Sequence, residues 1–293
     1  MTTHLATLLL DSRNRLGESA LWHARTSRLY WVDIAGHQVH AYEPATGRSL
    51  AALVGQSVGA VVPTRRGEVL VALERQFAFL DLAGGRLTPF PVEPLEPVGV
   101  RINDGKCDPA GRFWIGSTST GNAGGVGRLH CLFPDLHVEA RLSGLTISNG
   151  LAWSRDGRTL FHIDTPTGRV DAFDFDPAAG TIANRRTLRQ FAPGGGDPDG
   201  MTIDADGHLW VALWDGWRVE RIDSNTGATI AEVKLPVQRV TSCAFGGPAL
   251  DTLFITTARI GLDETQLAAQ PGAGAVFAAQ PGVRGVEAFE FAG

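Results

Sequence analysis

The sequence lacks the features that would indicate a membrane, exported or nucleic-acid-binding protein. None of its 293 residues belong to a run that approaches the roughly 20 apolar residues of a membrane-spanning helix. The N-terminus, MTTHLATLLLDSRNRLGE, has no basic start and no small-residue cleavage site, so we predict no secretory signal. Lys and Arg number 26 against 31 Asp and Glu, without a basic run. We therefore expect a cytoplasmic protein, with monomer favoured, that binds neither nucleic acid nor a membrane.

Cysteine and several catalytic signatures are also scarce or missing. The three cysteines, Cys107, Cys131 and Cys243, are odd in number and widely spaced, which favours reduced thiols in the core over disulfides or a Cys-ligated zinc site. The eight histidines form no HExxH motif, and no G-x-S-x-G, P-loop or dinucleotide fingerprint occurs. These absences argue against zinc-protease, α/β-hydrolase and nucleotide-dependent chemistry.

Glycine, in contrast, is abundant and marks a repeat. The chain has 36 glycines, where about 20 are usual for this length. Six β-rich segments start at residues 29, 69, 113, 160, 209 and 253, and read LYWVD, VLVAL, FWIGS, LFHID, LWVAL and LFITT. A turn cluster precedes each one, and in most repeats a second turn follows it. Units of 40 to 49 residues with about four strands predict an all-β, six-bladed β-propeller with residues 1–293 as a single domain.

Three smaller predictions accompany this fold. The segment ATLLLD and the C-terminal VEAFEFAG are both strand-like, and we expect them to complete one sheet from both ends of the chain. A weak helical pattern lies near DETQLAAQ. Trp22 and Trp153 occupy equivalent repeat positions, so we expect them to pack between blades. The alternative fold, two β-sandwiches, would need a linker or composition change near residues 141–150, and none is present.

One position in each repeat should face the central axis of the ring. Counting 10 or 11 residues back from each β-rich segment leads to the first residues of the innermost strands, namely Glu18, Val58, Asn103, Asn149, Asp199 and Ser242. Carboxylate and amide oxygens collected there suit hard divalent cations such as Ca²⁺, Mg²⁺ or Mn²⁺. The competing interpretation is that Asn149-Gly150 and Asp199-Gly200 only form turns.

The motifs around these residues resemble the SMP-30/gluconolactonase family, which includes regucalcin and bacterial sugar lactonases. The matching segments, from about residue 15 onward, are LGESALW with YWVDI, RINDGKCDPAGRFWIGS, ISNGLAWSRDGRTLFHIDT with VDAFDFD, DPDGMTIDADGHLWVALWDG and TSCAFGGPALDTLFITTAR. The resemblance implies a six-bladed propeller that hydrolyses aldonolactones to aldonic acids in carbohydrate catabolism. It also implies one divalent metal ion, whether Ca, Zn, Mn, Mg or Fe.

The resemblance further implies roles for individual residues. Glu18, Asn149 and Asp199 would hold the metal, Asp199 would also be the catalytic base, and Arg101 and Asn103 would contact the sugar lactone. Relatives often carry an acidic residue in the loop that here spans 117–127, and this chain has none. Without this acidic residue, Ser119, Thr120 or Asn122 would contact the substrate hydroxyls, and we predict Asn122 as the contact.

Alternatives remain at this stage. Arg101 has a purely structural interpretation as an ion-pair partner of Asp104. The whole protein has three competing functions: a calcium-binding regulatory propeller, a metal-dependent esterase or organophosphatase, and a platform for protein interactions. The pair Arg101 and Asn103 disfavours pure calcium binding, and the Ser/Thr/Asn/Gly-rich loop favours a polyol over an apolar ester.

Overall fold

The chain folds into a six-bladed β-propeller, as the repeat predicts. The computed structural model describes residues 1–90, 94–121 and 123–293. Six small sheets surround a central channel, and the innermost strand of each sheet contacts the innermost strand of the next. We call the face where the innermost strands begin the upper face, and the face where they end the base.

The strands follow one order in every blade, from the channel outward. Two strands precede blade 1, β1 (Thr2–Leu5) and β2 (Thr7–Leu10). Blades 1 to 3 contain β3 (Gly17–His23), β4 (Arg28–Asp33), β5 (Gln38–Glu43), β6 (Arg48–Leu53), β7 (Val58–Pro63), β8 (Val69–Leu73), β9 (Phe77–Asp81), β10 (Arg86–Pro89), β11 (Val100–Cys107), β12 (Phe113–Ser119), β13 (Gly127–Leu132) and β14 (Val138–Leu145). Blades 4 to 6 contain β15 (Ser148–Trp153), β16 (Thr159–Asp164), β17 (Arg169–Asp176), β18 (Thr181–Gln190), β19 (Asp197–Ile203), β20 (Leu209–Trp214), β21 (Arg218–Ile222), β22 (Thr229–Lys234), β23 (Val240–Gly246), β24 (Thr252–Thr257) and β25 (Val276–Ala279).

The N-terminal strands close the ring, but the C-terminal segment does not. Strand β2 pairs with β25 as the outermost strand of blade 6, and β1 adds a parallel fifth strand to blade 5. The prediction that VEAFEFAG joins this sheet was wrong. Residues 280–293, which we call the C-terminal strap, instead run across the base. Phe291 is fully buried there, and its N–H donates to Pro63 O at 2.9 Å. Backbone groups at the base therefore accept hydrogen bonds from the strap.

Buried apolar clusters join adjacent blades. The described residues contain six such clusters, each drawn mainly from two neighbouring blades. Trp22 stacks on Phe254 with ring centroids 5.6 Å apart, and Trp153 packs edge-on against Trp114 at 6.1 Å. The predicted role of Trp22 and Trp153 between blades is therefore confirmed.

The cysteines belong to this core. Cys107, Cys131 and Cys243 are buried free thiols. Burial raises the pKa of Cys131 and Cys243 to about 12. Their thiols are therefore protonated at neutral pH, which agrees with a packing role rather than a nucleophilic one.

A single short α-helix occurs in the described ranges, α1 (Glu264–Ala269), at the predicted position. Asp263 caps it by accepting from Gln266 N, and the Gln266 side chain accepts from Asp263 N in return. No helix in these ranges is long and apolar enough to cross a membrane.

Candidate functional site

Four polar residues meet in the channel near the upper face, where the count along the repeats predicts them. Glu18 lies on β3, Asn103 on β11, Asn149 on β15 and Asp199 on β19. Each is 5 to 6% exposed. These residues are up to 181 positions apart in the chain (199 minus 18), and only the closed ring brings them together.

Two aspartates hold the segments that lead into these strands. Asp33, at the end of β4, accepts from Arg15 N at 2.8 Å and Leu16 N at 2.9 Å, two residues before Glu18. Asp164, at the end of β16, accepts from Ile147 N at 2.8 Å, two residues before Asn149. Both aspartates stand at the same repeat position, as the last residue of YWVD and of FHID. This shared position is the sequence signal that could have identified them.

The glycines after Asn149 and Asp199 lie within strands, so the interpretation of both pairs as turns was wrong. A Cβ at Gly150 would approach Asp199 O to 2.6 Å, and a Cβ at Gly200 would approach Ser242 Oγ to 2.6 Å. Neighbouring innermost strands are therefore too close at the axis for a side chain at these positions. The glycines permit the approach that gathers the polar residues.

A chain of hydrogen bonds orients the two amides. Arg101 Nη1 donates to Asn103 Oδ1 at 2.8 Å, and Asn103 Nδ2 donates to Asn149 Oδ1 at 3.0 Å. Asn149 Nδ2 then donates to Thr165 Oγ1 at 2.8 Å, and Thr165 Oγ1 donates to Pro198 O at 2.8 Å. Thr165 was not predicted from the sequence. It joins the Asn149 amide to the backbone immediately before Asp199.

Arg101 Nη1 donates to Ile102 O at 3.0 Å and to Asn103 Oδ1 at 2.8 Å, and Arg101 forms no ion pair with Asp104 in the described ranges. Burial lowers the pKa of Arg101, while the negative charges of Glu18 and Asp199 oppose that shift. The structural alternative of an Arg101–Asp104 pair is therefore not what the geometry shows. The guanidinium is placed beside the axial oxygens, where it can donate to a bound anion or carbonyl.

The carboxyl groups of Glu18 and Asp199 are close enough to share a hydrogen bond. Burial, together with the charge of Asp104, raises the pKa of Glu18 to about 8. Burial and the neighbouring Glu18 raise the pKa of Asp199 well above its usual range. The positive charge of Arg101 opposes the rise in the Glu18 pKa without overcoming it, so the two buried carboxyl groups need a further cation to ionise together.

This donor set fits a divalent cation. Two carboxylates and the amide oxygen of Asn149 are oxygen ligands, which hard cations prefer, and so few protein ligands leave positions for water and substrate. No cluster of three or more His, Cys, Asp or Glu suited to a metal occurs in the described part of the chain. A cation at the axis would therefore depend on Asn149 as well as on the two carboxylates.

The family model described as SMP-30/Gluconolactonase/LRE-like region matches residues 16–259. The chain belongs to this family. Regucalcin of Danio rerio is 40% identical over 288 residues, which cover 97% of each chain. The Bacillus subtilis (strain 168) protein named "Putative sugar lactone lactonase YvrE" is 36% identical over 288 residues, covering 98% of this chain and 99% of the relative.

A solved structure gives the same picture for the fold. The calcium-binding protein regucalcin from Agrobacterium tumefaciens aligns with a TM-score of 0.92 and 26% identity, covering 99% of each chain. The family assignment and the propeller predicted from the repeat are thus both confirmed.

Within this family member, the upper loop after β12 is only partly described. Asn122, the predicted substrate contact in this loop, lies outside the described residues. Ser119 Oγ accepts from Gly121 N and Ala123 N, each at 3.1 Å, and Thr120 Oγ1 donates to Gly99 O at 3.2 Å. Both hydroxyls therefore stabilise the loop in this structure.

Proposed function

We propose that this protein hydrolyses a sugar lactone to the corresponding aldonic acid, using one divalent metal ion held at the channel axis. The observation that carries the proposal is the buried Glu18–Asp199 pair, whose ionisation needs a cation, beside the Arg101–Asn103–Asn149 chain of hydrogen bonds. Membership in a family named for gluconolactonase and similarity to a protein named as a sugar lactone lactonase support the reaction class. We further propose a place in carbohydrate catabolism.

Glu18, Asn149 and Asp199 would hold the cation. When bound, a divalent cation supplies Lewis-acid stabilisation of charge on a carbonyl oxygen and lowers the pKa of a coordinated water. The buried carboxylates of Glu18 and Asp199 would ionise as the cation replaces their shared proton. Cation binding should therefore release protons and tighten as the pH rises.

Asp199 is the proposed general base. Its carboxylate removes a proton from the attacking water, whose oxygen bonds to the lactone carbonyl carbon. The ring carbon–oxygen bond then breaks, and Asp199 returns the proton to the departing ring oxygen. Arg101 would hold the carbonyl or hydroxyl oxygens of the substrate, because its guanidinium has donors beyond those to Ile102 O and Asn103 Oδ1. Both N–H groups of the Asn103 amide donate to Ser148 O and Asn149 Oδ1, so Asn103 would contact the substrate by exchanging one of these bonds.

The decisive experiment is a panel of five- and six-membered aldonolactones assayed by acid release. Each lactone is tested after metal stripping and again after Ca²⁺, Mg²⁺, Mn²⁺, Zn²⁺ or Fe²⁺ is restored. We expect turnover of at least one lactone with at least one ion, and loss of that turnover in Asp199→Asn. If no lactone reacts under any ion, the enzymatic proposal is refuted.

Arg101→Ala separates substrate contact from a structural role. Loss of substrate contact lowers kcat/KM at least about tenfold, equivalent to about 1.4 kcal/mol. An unchanged kcat/KM with a lower melting temperature would assign Arg101 a structural role instead.

Calcium binding without catalysis is the second candidate, because the similar proteins include regucalcins and one is described as calcium-binding. The same residues would hold the ion in both cases. Calcium binding measured by calorimetry together with no lactone turnover under any ion would favour this second function.

A further inference from the structure

A separate cavity of about 450 Å³ lies at the base of the propeller, at the other end of the channel from the axial carboxylates. Its walls come from the last residues of the innermost strands, including Leu21, Lys106 and Thr202, each three positions after an axial residue. At about 3.3 Å per residue of strand, the backbone at these positions is at most about 10 Å from the axial residues, and a register shift in each strand shortens that distance. None of the four axial residues is among the described residues that line the cavity. The cavity is thus distinct from the proposed lactonase site.

The cavity is apolar and of ligand size. Trp22, Trp153 and Phe245 line it from the innermost strands, and Phe289 of the C-terminal strap forms part of its rim. Small-molecule sites are typically clefts of about 300–1,000 Å³ with mostly apolar walls and a few polar groups. Such walls favour a ligand with a ring-sized apolar body.

One charged side chain interrupts this apolar wall. Lys106 pairs with Trp114, the second residue of β12. The residues at the equivalent position in the other five blades are uncharged, namely Leu21, Val62, Ala152, Thr202 and Ala244. The other charged residues around the cavity, Arg155, Asp156 and Glu287, are exposed at its rim. Lys106 is therefore the charged group in the interior.

The ammonium of Lys106 has capacity for a ligand. Lys106 Nζ donates to Met201 O at 2.6 Å, its one hydrogen bond within the described ranges, and an ammonium has three donors. No acidic side chain of those ranges lies within ion-pair distance. Burial lowers the pKa of Lys106, and the negative charge of nearby Asp104 opposes that shift. An ammonium in an apolar wall gains from a counter-anion.

We propose that this basal cavity binds a small monocarboxylate with an apolar, ring-sized body, whose carboxylate pairs with Lys106. The apolar body lies against Trp22, Trp153 and Phe245. The ligand enters at the rim between Phe289 of the strap and the turn at residues 154–157 that joins β15 to β16. The proposal concerns a second site and does not depend on lactone hydrolysis.

The test compares two probes of nearly equal shape, 2-naphthoate and its neutral amide 2-naphthamide, by calorimetry on the full chain. The carboxylate should bind about tenfold to 100-fold tighter than the amide, as expected for a hydrogen bond to a charged group. Lys106→Met should reduce naphthoate affinity by that factor and leave naphthamide affinity unchanged. Lys234→Met is the matched control, because it removes the same charge from an exposed side chain on blade 5.

Two further variants locate the site. Ala152→Phe fills the cavity and should abolish binding of both probes, whereas Asp199→Asn at the opposite end of the channel should bind both like the parent. Equal affinity of the two probes for the parent protein, or no binding of naphthoate at millimolar concentration, would overturn the proposal. That comparison uses only the parent, so it stays decisive if a variant fails to fold. Full naphthoate affinity in folded Lys106→Met would also overturn it.

Discussion

Replacing Glu96 should loosen the structure beside the upper face of blade 3. The Glu96 side chain is completely buried and joins the segment before β11 to two strands of that blade. Its Oε1 accepts from Ser117 Oγ at 2.6 Å and His130 Nε2 at 2.7 Å, and its Oε2 accepts from Arg128 Nη1 at 2.9 Å. Ser117 and Arg128 flank the loop between β12 and β13 at the upper face.

The expected loss of stability depends on which hydrogen-bond partners of Glu96 stay buried. In Glu96→Ala, His130 loses its acceptor inside the protein and Ser117 Oγ keeps only a long bond to Arg128 O at 3.4 Å. The Arg128 side chain is 42% exposed and can turn to water. Removing one partner of a buried ionic network costs about 3–5 kcal/mol. Glu96→Gln keeps one oxygen acceptor and should cost about 1–3 kcal/mol, because its NH₂ faces Arg128.

Urea denaturation at pH 7 measures both values, with Glu68→Ala as the control. Glu68 and Arg86 form a long, exposed pair at 3.9 Å, so its loss should cost less than about 1 kcal/mol. Burial alone would raise the pKa of Glu96. The hydrogen bonds from His130 and Ser117 outweigh this effect, and the net result is a pKa below the usual 4.5.

The depressed pKa gives the prediction a pH dependence. Ionised Glu96 contributes stability above pH 4.5, and that contribution is lost as the pH falls through the lower folded-state pKa. The difference between parent and Glu96→Ala should therefore shrink in acid. A difference below 1 kcal/mol at pH 7, or one that grows in acid, would refute the reasoning.

Three other predictions concern the axis and the strap. With the divalent cation removed by a chelator, the free energy of unfolding should fall between pH 4.5 and about 8. In this range Glu18, with its folded pKa of about 8, retains a proton that the unfolded chain has released, and Glu18→Gln should flatten the slope in urea titrations. Thr165→Val leaves the Asn149 amide without its acceptor and should weaken cation binding about 10–100-fold by calorimetry, with little change in melting temperature. Phe291→Ala should cost about 3–5 kcal/mol in urea and expose the strap to proteolysis, and an unchanged midpoint would contradict its anchoring role.

Much of the fold was predictable because the propeller repeats itself along the chain. Each β-rich segment from LYWVD to LFITT is the second strand of a blade, so its spacing gives the number of blades. The C-terminal segment was mispredicted because VEAFEFAG has a strand-like pattern, while its position depends on which partners are still available. Strand β2 already occupies the open edge of β25, and the strap finds its hydrogen bonds at the base.

The candidate site was likewise only partly predictable from the sequence. The sequence by itself determined that Glu18, Asn103, Asn149 and Asp199 share one repeat position, because the register of each strand follows from its own turn and apolar pattern. Only the tertiary structure decided their relations across blades, such as the contact of Glu18 with Asp199, the bridge through Thr165 and the position of Lys106 in the wall of the basal cavity. Those relations depend on ring closure, which places residues from different blades within hydrogen-bond distance. No local pattern along the chain encodes such distances.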